Sequence, residues 1–348
     1  MAISSSLPAL AGAVVVVASL AAPISSAPEA RPAIDLTDGP EGFIPPRLHP
    51  EGAELETREL ASGVYALVST KPGADNSGFV IGENGVLVID SHINGAMAAK
   101  IQTAITTITD KPILYLVNTN YHGDHTFGNH AFPAATLIVA HHETARKMAD
   151  LEHEKQFILA TINNDTSVVA DARLRLPDIQ FDRHLSLDLG GRTVEIYNFG
   201  PGNTVGDTVV YEPESRVAWT GNLVVGEGTI PLLLEGRAAR YAHTLARFAE
   251  TLSVATIIPG HGRPTTGAIL GRYMGYLGDL VHRVGAAVGA GHDLDRTLAE
   301  TTLAEHYLPP ADVPAGSPPA RFRKFLIGFH RLNVLQTYRD FTVPEDRH

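Results

Sequence analysis

NTNYHGDHTFGNHAF, the sequence of residues 118–132, follows the apolar run PILYLV, which is typical of a buried β-strand. Inside it, His122, Asp124 and His125 fall within four residues, and Gly123 lies between them. Two imidazoles and a carboxylate this close in a tight turn can converge on one cation or on two adjacent cations. Loops at the carboxyl ends of strands are where α/β folds place their ligand sites. The stretch therefore predicts a metal site at the end of a strand.

On both sides of this stretch, short β-branched runs alternate with segments of helical spacing. Strands are predicted at residues 64–68, 79–82, 85–90, 112–117, 136–139 and 256–258, with four more strand-like runs between residues 185 and 225. Helices are predicted at residues 96–108, beginning at 143–149, at 238–252 and, in the tail, at 269–288, 294–303 and 322–341. This alternation in each of two halves predicts an α/β sandwich with helices outside and sheets inside.

Three further motifs downstream contain glycines, which allow loops to approach a common centre closely. They read GPGNTVGDTVVY at residues 200–211, WTGN at 219–222 and IIPGHGRPT at 257–265. In order and spacing, the four motifs resemble those of the metallo-β-lactamase-fold hydrolases, and the resemblance covers residues 64 to about 264. It implies an α/β fold of the αββα sandwich type, here followed by a carboxy-terminal helical extension.

The resemblance also implies a ligand set, because seven residues of these motifs hold two zinc ions in that family. Four positions keep the family's residue types, namely His122, Asp124, His125 and His261. Three positions hold asparagine where the family has His, His and Asp, namely Asn120, Asn203 and Asn222. A neutral carboxamide is a weak zinc ligand beside imidazole or carboxylate. The sequence therefore predicts one metal ion, held by Asp124, His125 and His261, with no metal and two metals as the alternatives.

The remaining positions receive roles from the same comparison of motifs. Asn120, His122, Asn203 and Asn222 are expected to be weak or vestigial ligands. His122, Asp124 and Asn222 are the candidate catalytic residues, and His122 is free for proton transfer because its ligand triad is incomplete. Asp90, at the end of GVLVID, is expected to support the metal loop through hydrogen bonds. The expected cofactor is one divalent ion, zinc in the first place and iron as the alternative.

This set of residues predicts a metal-dependent hydrolase acting on a thioester, ester or lactone carbonyl, because a bound metal ion can polarise a carbonyl or lower the pKa of water. Two alternatives stay open. The amide-bearing loops and the tail sequence FHRLNVLQTYRDF resemble the cyclase-thioesterases of aromatic polyketide pathways, which suggests an aldol-type cyclisation. The missing ligands also allow a pseudoenzyme that binds a small ligand.

Composition narrows the class of partner. The chain has 27 Lys plus Arg against 38 Asp plus Glu, a formal net charge of −11, and no long basic run. Nucleic acid is therefore excluded as a main partner, and a small-molecule substrate is expected. With no cysteine, any metal must be held by His, Asp, Glu, Asn or water. The sequence leaves the oligomeric state open.

The predicted organisation has four segments. Residues 1–27 are a signal peptide or a disordered extension, 28–54 a lead-in strap, 55–268 the metallo-β-lactamase-fold domain and 269–348 the helical extension. Residues 9–22 are apolar or small, as in a secretory signal, and too few for a stable membrane anchor. This predicts a periplasmic or secreted protein if the segment is a signal peptide, and a cytoplasmic one otherwise.

Overall fold

The computed structural model describes residue 45 and residues 47–343. The predicted signal segment, residues 1–27, lies outside the described residues, as does most of the strap. Within the described part of the chain, no helix is both long enough and apolar enough to cross a membrane.

The first sheet has seven strands, which lie side by side in chain order. They are β1 (Leu55–Ala61), β2 (Val64–Ser69), β3 (Ser77–Ile81), β4 (Val86–Ile89), β5 (Ile113–Val117), β6 (Leu137–His141) and β7 (Ile179–Phe181). The pairs from β1 to β4 are antiparallel, whereas β4, β5, β6 and β7 are parallel neighbours. Because parallel strands end at the same edge, the loops that follow β4, β5 and β6 meet there.

The second sheet has five strands in the order β12-β11-β10-β9-β8. They are β8 (His184–Asp188), β9 (Thr193–Tyr197), β10 (Val209–Glu212), β11 (Val217–Trp219) and β12 (Thr256–Ile258). The β11–β12 pair is parallel and the other pairs are antiparallel. The loops after β11 and β12 therefore leave this sheet at one end and carry the third and fourth motifs.

The helices of the sandwich lie outside the two sheets, and others form the tail. They are α1 (Gly95–Ile108), α2 (Gly123–Thr126), α3 (His142–Met148), α4 (Leu151–Thr161), α5 (Ala238–Thr251), α6 (Ala268–Gly289), α7 (Leu294–Glu300) and α8 (Pro318–Thr342). Alternation along β4 shows the layering, since Leu87 and Ile89 join the core between the sheets while Val86 and Val88 pack with α1. On the other side, α5 buries Leu245 and Phe248 in a core that includes Val209 and Ala218 of the second sheet.

The two sheets pack closely at Gly78, where a Cβ atom would lie 2.2 Å from Nε1 of Trp219. The indole of Trp219 is fully buried in the core between the sheets. Any side chain at residue 78 would force the sheets apart.

The tail packs onto α5, so that it covers a helix of the sandwich and does not form a separate unit. Tyr273 of α6 and Phe329 of α8 belong to the same core as Phe248 of α5. The structure thus confirms the αββα sandwich and the carboxy-terminal helical extension. The predicted boundary at residue 54 precedes the first residue of β1, and that at 268 coincides with the first residue of α6.

Candidate metal centre

The loop after β5 is held rigidly by buried hydrogen bonds. Thr119 donates from its backbone N–H and its hydroxyl to the carboxylate of Asp90, at 2.8 and 2.6 Å. Asn118 and Asn129 exchange two amide hydrogen bonds, at 3.0 and 2.8 Å. Helix α2 begins at Gly123, soon after β5 ends. His122 and His125 therefore lie near the edge of the sheet.

Asp124, His125 and His261 converge although His261 comes from the loop after β12. The Oδ2 atom of Asp124 lies 3.7 Å from Nε2 of His125 and 3.4 Å from Nε2 of His261. Both oxygens of Asp124 and Nε2 of His125 are buried without a hydrogen-bond partner. The three residues predicted to hold the metal thus face one another across a small polar space.

Asp90 lies directly behind His125. Its Oδ2 atom is 2.9 Å from Nδ1 of His125, so this carboxylate fixes the ring and leaves Nε2 free to face Asp124. Asp90 itself has a φ of 57°, in the left-handed region that is costly for a residue with a side chain. The strained backbone turns the carboxylate toward both Thr119 and His125.

Asp75, which the sequence analysis did not single out, is a fully buried second carboxylate beside His125. Its Oδ2 atom lies 3.4 Å from Nδ1 of His125, and its carbonyl oxygen is 2.9 Å from Nε2 of His92. One ligand atom each of Asp75, His125 and His261 lies within 4.8 Å of the others. Both oxygens of Asp75 are also buried without a hydrogen-bond partner, so Asp75 is an alternative carboxylate ligand beside His125 and His261.

The charges at this centre are strongly coupled. Burial acts to lower the pKa of His125, but the carboxylates of Asp75, Asp124 and Asp90 outweigh it and raise the pKa well above its ordinary value. Burial acts to raise the pKa of Asp124, but the facing imidazoles of His125 and His261 hold it below its ordinary value. Burial and like charges raise the pKa of Asp75 well above its usual range. These opposite shifts favour the ionised form of Asp124 over that of Asp75.

The three asparagines use their amides differently. Asn120 accepts from the backbone N–H of His122 at 2.8 Å, which leaves its Nδ2 atom without a partner. Asn203 donates from Nδ2 to the carbonyl of Leu232 at 2.8 Å, which leaves its Oδ1 atom free. Asn222, 8% exposed, also has a free Oδ1 atom. The unpartnered atom of Asn120 is therefore an N–H donor, whereas Asn203 and Asn222 leave an acceptor oxygen unpartnered.

His122 is held by Glu154 of α4, a residue that the sequence analysis missed. Oε1 of Glu154 lies 3.2 Å from Nδ1 of His122, while Nε2 of His122 has no partner. Burial acts to lower the pKa of His122, but the charge of Glu154 outweighs it and raises the pKa. No motif spacing connects residues 122 and 154, so only the fold could show this pair.

A second histidine cluster lies at the ends of β6 and β7, where His141, His142 and Asp182 bring ligand atoms within 4.8 Å of one another. His141 accepts from the backbone N–H of Glu143 with Nδ1, at 3.2 Å. His142 and Asp182 are exposed, with side chains 46% and 77% accessible. This nitrogen of His141 is engaged in capping α3, and the cluster is a poorer cation site than the first.

The donor set of Asp124, His125 and His261 has the chemistry that suits a divalent ion. Ligands bound tetrahedrally at 2.0–2.2 Å stand about 3.3–3.6 Å apart. The 3.4 Å separation between Asp124 Oδ2 and His261 Nε2 lies within this range, and the 3.7 Å separation to His125 Nε2 lies just above it. A carboxylate, two imidazoles and a supporting carboxylate behind one of them are typical of zinc centres.

The layered fold and this histidine–carboxylate centre together define a hydrolase-type αββα protein with a cluster that can bind a divalent metal. Residues 70–261, more than half of the chain, match the family described as the metallo-beta-lactamase superfamily. The chain therefore belongs to the metallo-β-lactamase superfamily, as the motifs predicted.

Two solved structures are similar to the fold. A metallo-beta-lactamase from Pontibacter korlensis is 20% identical with a TM-score of 0.53, and the match covers 64% of this chain and 99% of that one. A metallo beta lactamase from Hirschia baltica is 17% identical with a TM-score of 0.51, covering 64% of this chain and 97% of that one. At these identities the likeness shows a shared fold and does not extend to substrate.

Proposed function

We propose that the protein is a metal-dependent hydrolase that acts on a thioester, ester or lactone carbonyl through a centre with one divalent ion, zinc in the first place and iron as the alternative. One observation carries the proposal. Asp124 Oδ2 faces Nε2 of His125 and of His261 at 3.7 and 3.4 Å, and the Asp124 carboxylate is buried and otherwise unpartnered. Buried polar groups without partners are rare, so each such atom calls for an explanation.

In this proposal Asp124, His125 and His261 would hold the ion. When bound, the ion would act as a Lewis acid toward a substrate carbonyl or water. Asp90 keeps the lone pair of His125 Nε2 aimed at the centre through its bond to Nδ1. His122 presents a free Nε2 atom and can accept or deliver a proton, as predicted for a catalytic residue.

The amides support one ion over two. The oxygen of Asn120 already accepts from the backbone N–H of His122, and the unpartnered Nδ2 atom has no lone pair for a cation. Nδ1 of His122 is engaged by Glu154. At positions 120, 122 and 203 the atoms without partners are Nδ2 of Asn120, which is no ligand, Nε2 of His122 and Oδ1 of Asn203. Two scattered neutral donors form a weak zinc site beside the Asp-His-His set.

We also propose that the substrate is a small molecule. The side chains of Asp124 and His125 are 3% and 0% exposed, and His261 is the more accessible at 14%. A macromolecule would reach such buried groups only by inserting a flexible segment.

The test is metal content by plasma mass spectrometry on protein purified without chelator, with His261→Ala and the exposed His243→Ala as matched control. We expect about one ion per chain in the wild type and in His243→Ala, and its loss in His261→Ala. Thioesters, esters and lactones are then screened with the same three proteins. No ion in the wild type would refute the metal-dependent hydrolase and favour a ligand-binding pseudoenzyme.

The free Nε2 atom of His122 favours one second candidate, an aldol-type cyclase, because such a reaction needs a base that removes a proton next to a carbonyl. Mass analysis of products separates the two candidates. A hydrolase adds the elements of water to its substrate, whereas aldol condensation with dehydration removes them.

A further inference from the structure

A buried glutamate controls the orientation of His122. Glu154 lies on α4, is 3% exposed, and accepts with a single oxygen from two groups. Oε1 is 2.8 Å from the backbone nitrogen of Gly123 and 3.2 Å from Nδ1 of His122. Burying a carboxylate is costly unless it makes such bonds, so its position beside the candidate centre calls for a role.

His122 has almost no freedom to turn. Its ring is stacked on Phe157 with centroids 4.9 Å apart and lies 4.3 Å from the ring of Tyr121. Its backbone N–H donates to Asn120, and its carbonyl accepts from Thr126 and His125. Every polar atom of His122 has a partner except Nε2. The ring is therefore fixed with Nδ1 on Glu154 and with Nε2 buried and unpartnered.

We propose that Glu154 is the positioning residue for His122. Its Oε1 atom accepts a hydrogen bond from Nδ1, so the neutral imidazole carries its hydrogen there and leaves a bare lone pair on Nε2. An imidazole can have its proton on either nitrogen, and the partner of one nitrogen decides the state of the other. This inference rests on the proposed function only for its catalytic consequence.

The geometry also predicts which substitution rescues the role. The backbone N–H of Gly123 bonds the same Oε1 atom that faces His122. In Glu154→Gln this N–H would hold the amide oxygen in place, and the oxygen would still accept from Nδ1. Glu154→Ala removes the acceptor altogether. Glu152, an exposed residue on the same helix that pairs with Lys155, provides the matched control as Glu152→Gln.

The experiment is a long-range ¹H–¹⁵N correlation spectrum of the full-length protein at alkaline pH, with His122 assigned by the signals missing in His122→Gln. We expect the wild type, Glu152→Gln and Glu154→Gln to show a protonated Nδ1 and a bare Nε2. Glu154→Ala should lose this pattern. If Glu154→Ala fails to fold, Glu154→Met, which fills the same volume without an acceptor, takes its place.

Turnover supplies the second readout. Loss of an orienting partner behind a functional histidine costs about 10- to 100-fold. We expect that loss in kcat for Glu154→Ala, with KM little changed and Glu154→Gln near the wild type. An unchanged spectrum in Glu154→Ala, or a spectrum in Glu154→Gln that matches Glu154→Ala, would overturn the positioning role. Should the wild type turn over no substrate, the proposed function fails while the spectrum still decides the role of Glu154.

Discussion

The buried amide of Asn333 ties the helical extension to the loop that borders the candidate centre. Asn333 lies on α8 and accepts from the backbone N–H of Leu233 at 2.9 Å. It donates to the carbonyl of Pro231 at 2.7 Å and to the hydroxyl of Tyr276 at 2.9 Å. The same loop supplies the carbonyl of Leu232 that holds Asn203. Asn333→Leu keeps the volume and removes all three hydrogen bonds.

The cost can be worked out from these contacts. Two buried backbone groups, the N–H of Leu233 and the carbonyl of Pro231, lose their partner, and each such loss costs about 1–3 kcal/mol. The hydroxyl of Tyr276 keeps His330 as a partner at 2.9 Å. The added apolar atoms of leucine return about 1 kcal/mol. We therefore expect a loss of about 3 kcal/mol in the free energy of unfolding.

The assay is urea unfolding followed by circular dichroism, with Gln336→Leu as the matched control. Gln336 makes a bond of this kind from Nε2 to the carbonyl of Leu234 at 2.7 Å, so its loss should cost about 1 kcal/mol. Hydrogen exchange of the amides at residues 229–235 should accelerate in Asn333→Leu and not in Gln336→Leu. A cost for Asn333→Leu no greater than that of the control would refute the reasoning.

Three further predictions concern the metal centre and the pH dependence of stability. A variant that restores the family ligand types combines Asn120→His, Asn203→His and Asn222→Asp. By plasma mass spectrometry, its metal content should rise from about one ion per chain toward two. Two ions in the wild type would contradict the weak-ligand argument. Asp90→Ala should weaken zinc binding about 10- to 100-fold in a chelator competition, since it frees the ring of His125, and unchanged affinity would exclude the supporting role. Burial lowers the pKa of His330 to about 4, against an ordinary value of 6.5. Its contribution to the free energy of unfolding is therefore complete above the unfolded pKa and is lost as the pH falls toward 4. Between pH 7 and 5 the loss is about 2 kcal/mol, which His330→Gln should abolish in urea titrations at both pH values. An equal pH dependence in both proteins would show that other groups carry it.

The part of the fold that the sequence predicted is the part with local signals. Strongly β-branched runs such as VLVI of β4 are fully buried, so their composition alone marks them as strands. Strand β1, with the sequence LETRELA, lies at the edge of the sheet and its residues differ in exposure. It was not predicted, because this sequence has no continuous apolar run. The three-residue β7 and helix α4 were also missed, because β7 is too short to show a period and α4 has weak amphipathic spacing.

The residues of the candidate site likewise include some that the sequence predicted and some that it missed. Asp124 and His125 lie in one short motif, and the family resemblance added His261, so the set that converges could be named beforehand. Asp75 and Glu154 could not, because they lie far from that motif in the chain and reach it only through tertiary contacts. Spacing reveals ligands on one loop, whereas partners that orient those ligands come from whatever element packs behind it.

Trp219 gives the protein a built-in optical probe. It is the only tryptophan of the sequence and is 2% exposed between the sheets. Its emission should stay that of a shielded indole if the tail helices come loose from α5 while the sandwich remains closed, and should shift to the red only when water enters between the sheets. Emission compared with the helical dichroism signal therefore distinguishes undocking of the tail from opening of the sandwich, without any added label.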